Sequence, residues 1–88
     1  MGSENKETAV AVRVWVEGRR VWLELSDERW LSFPATKYPL LGDAPQDLLE
    51  RAALRLGGLA LRWEEIDEDI WGEDVIRGKF PVARKAAA

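Results

Sequence analysis

Cysteine and histidine are both absent from this chain of 88 residues. Without cysteine, the protein has no disulfide and no zinc or iron–sulfur site built on thiolates. Without histidine, it lacks the most common metal ligand and the side chain that most often transfers protons near neutral pH. Its hydroxyl side chains therefore have no histidine or cysteine with which to form a nucleophilic pair. We expect a protein that is not an enzyme and that carries no metal or cofactor.

Long apolar runs are absent as well. No stretch approaches the roughly 20 apolar residues that cross a bilayer, and the first residues are polar where a signal peptide is hydrophobic. These two absences predict a soluble, cytoplasmic protein without a membrane partner. The sequence gives no indication of the oligomeric state.

The length and the apolar patterning predict one small domain. Residues 1–8 are polar and without periodicity, and we expect them to be disordered. The patterned segments cover residues 9–78, which we interpret as a single α+β domain. Residues 79–88 are basic and predict a loose C-terminal tail.

Three runs of alternating apolar and polar residues predict an antiparallel β-meander in the first half of the domain. Turns at Gly18 and at residues 26–28 separate these runs. Pro34 ends the third strand because it has no N–H to donate to a ladder. The predicted apolar face of the first two strands consists of Val10, Val12, Val14, Val16, Val21, Leu23 and Leu25.

A helix is predicted after the meander. Residues 43–46 resemble a capping box in which Asp43 caps the helix and Gln46 reaches back to it. Apolar residues then recur at three- and four-residue spacing, and the glycine pair 57–58 would end the helix in the left-handed conformation. The apolar stripe of this helix would be Leu49, Ala52, Ala53 and Leu56.

Two further elements complete the predicted fold. Alternation resumes at Leu59–Trp63 and predicts a fourth strand that returns to the sheet, and residues 73–77 before Gly78 predict a short C-terminal helical turn. The sequence thus indicates an α+β fold. One main helix would pack on an antiparallel sheet that contains the three meander strands and the returning fourth strand.

Acidic residues are concentrated in one segment that contains no lysine or arginine. Seven of the 16 acids lie within residues 64–74, which leaves nine acids against all 13 basic side chains elsewhere. A carboxylate surface on an otherwise basic chain favours a basic protein over nucleic acid as the partner. The predicted partner-binding residues are Trp63, Glu64, Glu65, Asp67, Glu68, Asp69, Trp71, Glu73 and Asp74.

Other roles for this acidic segment stay open. Asp67, Asp69 and Gly72 match three positions of an EF-hand calcium loop, but Trp71 and Gly78 stand where the fifth and twelfth ligands belong. Carboxylates along an exposed loop also lack the burial that general acid–base catalysis needs. A purely structural role is the plainest alternative, in which Ile66 and Ile70 enter the core and Asp67 or Asp69 accepts hydrogen bonds from backbone amides at the positive end of the last helical turn.

Tryptophans and arginines on the strands suggest an alternative function. Trp15 and Trp22 fall on the face opposite the valines, where they either form an exposed pair or cover the second face of a small sheet. With nearby arginines, such a face would make a nucleic-acid-binding or regulatory module, although the net charge of −3 makes nucleic acid an unlikely partner. The arginines concerned are Arg13, Arg19, Arg20, Arg29 and Arg62.

Several motifs occur in a fixed order along the chain, namely Leu25–Arg29, Phe33-Pro34, Tyr38–Leu41 and Trp63–Ile70, followed by Gly78. This order resembles the bacterial domain-of-unknown-function family 2442. Members of that family carry a leucine-serine-aspartate-glycine-arginine turn, a tyrosine-proline pair and a tryptophan followed by acids before a short terminal helix. The resemblance covers about residues 12–78.

Three residues depart from the family pattern. Glu28 stands where the family turn has glycine, and Glu64 replaces the proline after the tryptophan. Trp71 stands in place of a serine that would cap the last helix.

The resemblance implies a small α+β fold with a meander packed on a helix, and no assigned enzyme activity. It also implies a gene that lies beside another short uncharacterised protein, in an arrangement suspected to be a toxin and its antitoxin. We therefore expect a small, non-catalytic, antitoxin-like interaction module. Its acidic segment would bind a small basic protein encoded by a neighbouring gene.

Overall fold

The computed structural model describes residues 9–81, which form six strands in two antiparallel sheets of three. The predicted disorder of residues 1–8 and most of the predicted loose tail lie outside the described residues. Phe80 belongs to that tail, yet the centre of its ring lies 5.7 Å from that of Phe33 and 5.8 Å from that of Tyr38. The packed domain therefore extends past its predicted end at residue 78.

The first sheet contains the three strands that the alternating runs predict. They are β1 (Ala11–Glu17), β2 (Arg20–Leu25) and β3 (Trp30–Pro34), and β2 lies between the other two. Because side chains alternate along a strand, Val21 and Leu23 point into the core and are fully buried.

A bulge near the start of β1 changes which residues face the core. The register shifts between Ala11 and Arg13, so that Ala11 is buried and Val12 is 48% exposed. The predicted apolar face is therefore wrong at Val12. Gly58 packs against this point, where a Cβ would overlap the Ala11 carbonyl oxygen.

The second sheet was not expected. It consists of β4 (Ala53–Arg55), β5 (Ala60–Trp63) and β6 (Glu68–Trp71), with β5 in the middle. A short 3-10 helix at Leu56–Gly58 joins β4 to β5, and both of its glycines have positive φ. The glycine pair thus forms a hairpin turn rather than a helix cap.

All helices in the described residues are short. A 3-10 helix at Ala35–Lys37, α1 (Pro39–Gly42) and α2 (Gln46–Leu49) connect the two sheets. α3 (Gly72–Ile76) follows β6, where a helical turn was predicted. No helix within residues 9–81 is long and apolar enough to span a bilayer.

The predicted fold, with one main helix on a four-stranded sheet, is wrong. The helix α2 ends at Leu49, and residues assigned to its continuation form β4. In a longer helix the Leu49 carbonyl would accept the Ala53 N–H, but here it accepts the buried indole N–H of Trp63 at 2.8 Å. The predicted fourth strand corresponds to β5, which pairs with β4 and β6 instead of returning to the meander.

The predicted capping box is wrong for a related reason. Asp43 is the C-terminal cap of α1, and Pro45 occupies the N-cap of α2. The Gln46 amide donates to the Gly18 carbonyl and accepts a bond from the Arg19 guanidinium. These bonds attach α2 to the turn between β1 and β2, so that the connecting segment is held across the end of the first sheet.

One core lies between the two sheets and the connecting segment. Its fully buried side chains come from both sheets and from both short helices of the connection. The largest of them are Trp63, Phe33, Leu23, Leu25, Leu41, Leu49, Leu61 and Val21.

Glu28 provides a test of backbone strain in the turn between β2 and β3. Its φ is +73°, a left-handed conformation that costs a residue with a Cβ about 1–2 kcal/mol. We predict that Glu28→Gly raises the free energy of unfolding by about 0.5–1 kcal/mol, measured by urea denaturation. Glu28→Ala is the matched control and should give no such gain, because alanine keeps the Cβ. A glycine variant no more stable than the wild type would show that the turn is not strained.

Candidate functional site

The acidic segment, residues 64–74, forms an ordered hairpin rather than an exposed loop. A tight turn at residues 64–67 joins β5 to β6, with the Ile66 N–H bonded to the Trp63 carbonyl at 3.2 Å and the Asp67 N–H bonded to the Glu64 carbonyl at 3.2 Å. Asp67 has a φ of +58° in this turn. Four of the seven carboxylates therefore lie on β6 or directly beside a strand end.

Arg62 forms ion pairs with three of these carboxylates. Strand alternation places Arg62 on the outer face of β5, directly opposite Asp69 on β6. Its guanidinium lies 2.9 Å from Asp69, 2.9 Å from Asp67 and 2.8 Å from Glu64. The hydrogen bond from Arg62 and its positive charge lower the pKa of Glu64 below its ordinary value. Arg62 thus links the turn of the hairpin to β6 through three ion pairs.

Two further acids of the segment have arginine partners. Glu65 lies 3.1 Å from Arg51, and Glu73 lies 2.9 Å from Arg77 one helical turn away. Five of the seven acids are therefore paired within the chain. These pairs narrow the predicted binding surface, because a paired carboxylate gives up part of its attraction for an external cation. One signal in the sequence could have indicated this pairing. Arg62 lies just before the acids, and strand alternation with Trp63 places it on the outward face.

Trp63 cannot contact a partner. Its side chain is fully buried, and its indole N–H donates to Leu49. Ile70 is 4% exposed, and Ile66 packs against the same core. This part of the acidic segment has the structural role that the alternative interpretation gave it. Trp71, in contrast, is 57% exposed.

Glu68 and Asp74 are the two acids of the segment with no ion pair among the described residues. Both line an open cavity of about 450 Å³. Burial, and then the negative charge of Asp69, raise the pKa of Glu68 above its ordinary value. This cavity therefore holds two carboxylates that no ion pair within residues 9–81 neutralises.

Tyr38 lines the same cavity and is 5% exposed. Its hydroxyl is buried without a hydrogen-bond partner in residues 9–81. Burial raises the pKa of Tyr38 to about 12, and the negative charges of Asp74 and Glu68 contribute to this rise. Sequence reasoning missed this residue, because only the packing of the connecting segment brings it beside the acids.

Trp71 separates this cavity from two others. One, of about 340 Å³, lies beside Leu59 and the start of α3, and the other, of about 460 Å³, lies between Trp71 and Arg55. Leu56 and Leu59 are 64% and 48% exposed around them. Exposed apolar side chains thus surround the tryptophan next to the two unpaired carboxylates.

The outer face of the first sheet carries a cluster of tryptophans. Trp15 and Trp22 stack with ring centres 6.1 Å apart, and Trp30 meets Trp15 edge-on at 5.3 Å. The Arg13 guanidinium lies 4.4 Å from the centre of the Trp15 ring. Of the two arrangements left open by the sequence, Trp15 and Trp22 form the cross-strand pair, and Trp30 extends it.

The arginines that suggested nucleic-acid binding are all engaged within the chain. Arg13 lies 3.6 Å from Glu24, and Arg29 lies 2.8 Å from Asp27. Arg20 binds Ser32, and Arg19 binds carbonyl groups of α1. Arg62 binds the acidic segment. Within residues 9–81, no row of unpaired arginines therefore accompanies the tryptophans.

A metal site has no geometric support in residues 9–81, where no three acidic side chains are grouped to hold an ion. The two aspartates that match an EF-hand loop, Asp67 and Asp69, both bind Arg62. The expectation that the protein works without a cofactor stays a prediction.

Tyr38 is the single tyrosine of the chain, so its ionisation can be followed by the ultraviolet absorbance of tyrosinate. We predict a midpoint at about pH 12 in the folded protein, compared with 10.0 when unfolded. The raised pKa stabilises the fold fully below pH 10, and this stability is lost as the pH rises toward 12. The total loss is about 2–3 kcal/mol.

Tyr38→Phe is the control for this titration. At neutral pH it should be at least as stable as the wild type, because it removes a buried hydroxyl without a partner. It should also lack the alkaline loss of stability attributed to Tyr38. A wild-type midpoint near pH 10, or identical alkaline stability curves for both proteins, would show that the hydroxyl is not buried beside the acids.

Comparison with known proteins assigns the chain to a family. The family model described as "Protein of unknown function (DUF2442)" matches residues 11–81. A crystal structure of a protein of unknown function from Rhodospirillum rubrum is similar, with a TM-score of 0.81 and 23% identity over 92% of this chain and 100% of that one. A solution structure of an uncharacterized protein from Chromobacterium violaceum has a TM-score of 0.71 and 18% identity, over 85% of this chain and 71% of that one.

These two structures support the fold with its two sheets and carry no information on function. No curated protein matched the chain. The motifs quoted from the sequence had indicated the same family, and the match extends across both sheets. The chain therefore belongs to the DUF2442 family of proteins of unknown function.

Proposed function

We propose that this protein is a non-catalytic interaction module that binds a basic segment of a partner protein at the surface around Trp71. The observation that carries this proposal is the position of Glu68 and Asp74. They have no ion pair among residues 9–81, and they line a cavity bordered by an exposed tryptophan.

The charges favour a cationic ligand. Burial and the negative charges of Asp69 and Asp67 raise the pKa of Glu68. A positive group from outside would favour the ionised form of Glu68. Selection by complementary charge acts mainly on the association rate and on specificity.

The surroundings of Trp71 supply the apolar part of the proposed interface. Protein interfaces commonly place an aromatic residue at the centre and charged residues at the rim. Trp71, Leu56 and Leu59 are exposed together, and the unpaired carboxylates lie at one edge of this group. Such an arrangement suits a protein partner better than a free ion.

The small basic protein encoded by a neighbouring gene is the partner that we propose, in an antitoxin-like pairing. This part of the proposal depends on the gene arrangement implied by the family resemblance. Cytoplasmic location is proposed with it, since both products would then be made in one compartment.

The test is the affinity between this protein and the product of the adjacent gene, measured by isothermal titration calorimetry. We predict that Glu68→Gln/Asp74→Asn weakens binding at least about tenfold, because it removes the unpaired charges. Glu65→Gln/Asp67→Asn is the matched control. It makes the same change of charge at two paired acids of the same segment, and should change the affinity less than about twofold. Trp71→Ala should weaken binding to a degree typical of a central aromatic residue.

Equal losses in the two double variants would contradict the role of the unpaired acids, and no binding by the wild type would contradict the proposed partner. A nucleic-acid-binding module would behave differently. It would bind oligonucleotides with an affinity that falls steeply as salt rises, and Trp15→Ala would weaken it.

A further inference from the structure

We propose that the cavity lined by Tyr38, Glu68 and Asp74 is a pocket for one lysine side chain of the partner, whose ammonium group binds the two carboxylates and the Tyr38 hydroxyl. This inference rests on the proposed function, since a basic partner supplies the lysine. It goes further by naming the chemical group that enters the site.

The Tyr38 hydroxyl is the independent observation that points to a ligand. The residue is 95% buried, and its hydroxyl has no hydrogen-bond partner in residues 9–81, although buried polar groups are nearly always paired. Its ring is held by edge-on contacts with Phe33 at 5.3 Å and with Phe80 at 5.8 Å. Tyr38 lines the cavity, and the charges of Asp74 and Glu68 act on its hydroxyl, which therefore is an unpaired polar group within electrostatic reach of both acids.

The number and type of acceptors match an ammonium group. Lysine carries three N–H donors on a compact charge, and the pocket offers three separate oxygen acceptors from Glu68, Asp74 and Tyr38. A guanidinium instead prefers one carboxylate in a planar, two-bond arrangement. The remaining lining is partly apolar, with Ile70, Phe80 and Pro81, which suits the methylene chain of a lysine.

The other charges of residues 9–81 around the pocket are also accounted for. Asp69 lines the cavity but is held by Arg62 at 2.9 Å, so it adds little attraction. Lys79 lines the cavity too, and within residues 9–81 it makes no ion pair with either carboxylate. The Lys37 ammonium lies 5.6 Å from the centre of the Phe80 ring, outside the lining. Lys79 would therefore repel an incoming ammonium, and its removal should tighten binding.

The experiment is an NMR titration of the full chain with Nα-acetyl-lysine methylamide. The norleucine analogue, which has a similar stem without the ammonium, is the control, and the arginine analogue is the rival probe. We expect the lysine compound to shift the signals of Asp74 and of the Trp71 indole, with a dissociation constant on the order of millimolar. The norleucine compound should cause no saturable shift, and the arginine compound should bind several-fold more weakly.

Variants test each part of the pocket. Glu68→Gln should remove saturable binding, and Tyr38→Phe should weaken it several-fold while keeping the spectrum of a folded protein. Lys79→Gln should tighten it about two- to fivefold. Glu65→Gln, at a paired acid of the same segment, should leave it unchanged.

The possible outcomes separate this inference from the proposed function. If no lysine binding is seen, or if the arginine compound binds equally well, the lysine pocket is refuted. The interaction module would then survive if Glu68→Gln/Asp74→Asn still weakens capture of the adjacent gene product. If the lysine compound binds as predicted and no protein partner does, the pocket is supported and the proposed function is refuted.

Discussion

The hydrogen bond from the Trp63 indole to the Leu49 carbonyl is the interaction on which the second half of the fold depends. Both residues are fully buried, and the bond is 2.8 Å long. The indole occupies the carbonyl that would otherwise accept the next hydrogen bond of α2. The chain therefore leaves the helix and forms β4, at the edge of the sheet opposite β6. A buried indole N–H also needs a partner, so this arrangement satisfies both groups at once.

The inward position of Trp63 determines where the neighbouring charges go. Arg62 must face outward, where it meets Asp69 across the hairpin, with Asp67 and Glu64 in reach. Glu68 pairs in register with Trp63 and therefore lies on the other side of β6, away from Arg62. Strand alternation around one buried tryptophan thus separates Asp69, which Arg62 binds, from Glu68, which has no ion pair within residues 9–81.

Local patterns predicted the first sheet and the short helix after β6, because each depends on neighbours close in sequence. The second sheet could not be predicted in this way, because the spacing of Leu49, Ala52, Ala53 and Leu56 also fits a helix. Pairing with β5, together with the bond from the Trp63 indole to the Leu49 carbonyl, makes Ala53–Arg55 a strand. The prediction that Val12 faces the core was wrong because a β-bulge leaves no clear mark in an alternating sequence.

The candidate site was predictable in its location and not in its composition. A concentration of acids marked the right segment, but the arginines that neutralise most of it come from β4, β5, the turn after α2 and the end of α3. Tyr38 joins the site from a different part of the chain, so no spacing rule connects it to Glu68 or Asp74. Only the three-dimensional packing determines which of these carboxylates have no ion pair within residues 9–81.

Arg62 neutralises one side of the acidic hairpin, whereas Glu68 on the other side has no ion pair within residues 9–81. An NMR titration of the side-chain carboxyl carbons measures this difference residue by residue. We predict a pKa for Glu64 below the ordinary glutamate value of 4.5 and a pKa for Glu68 above it. Coincident titration of Glu64 and Glu68 would contradict this division of charge.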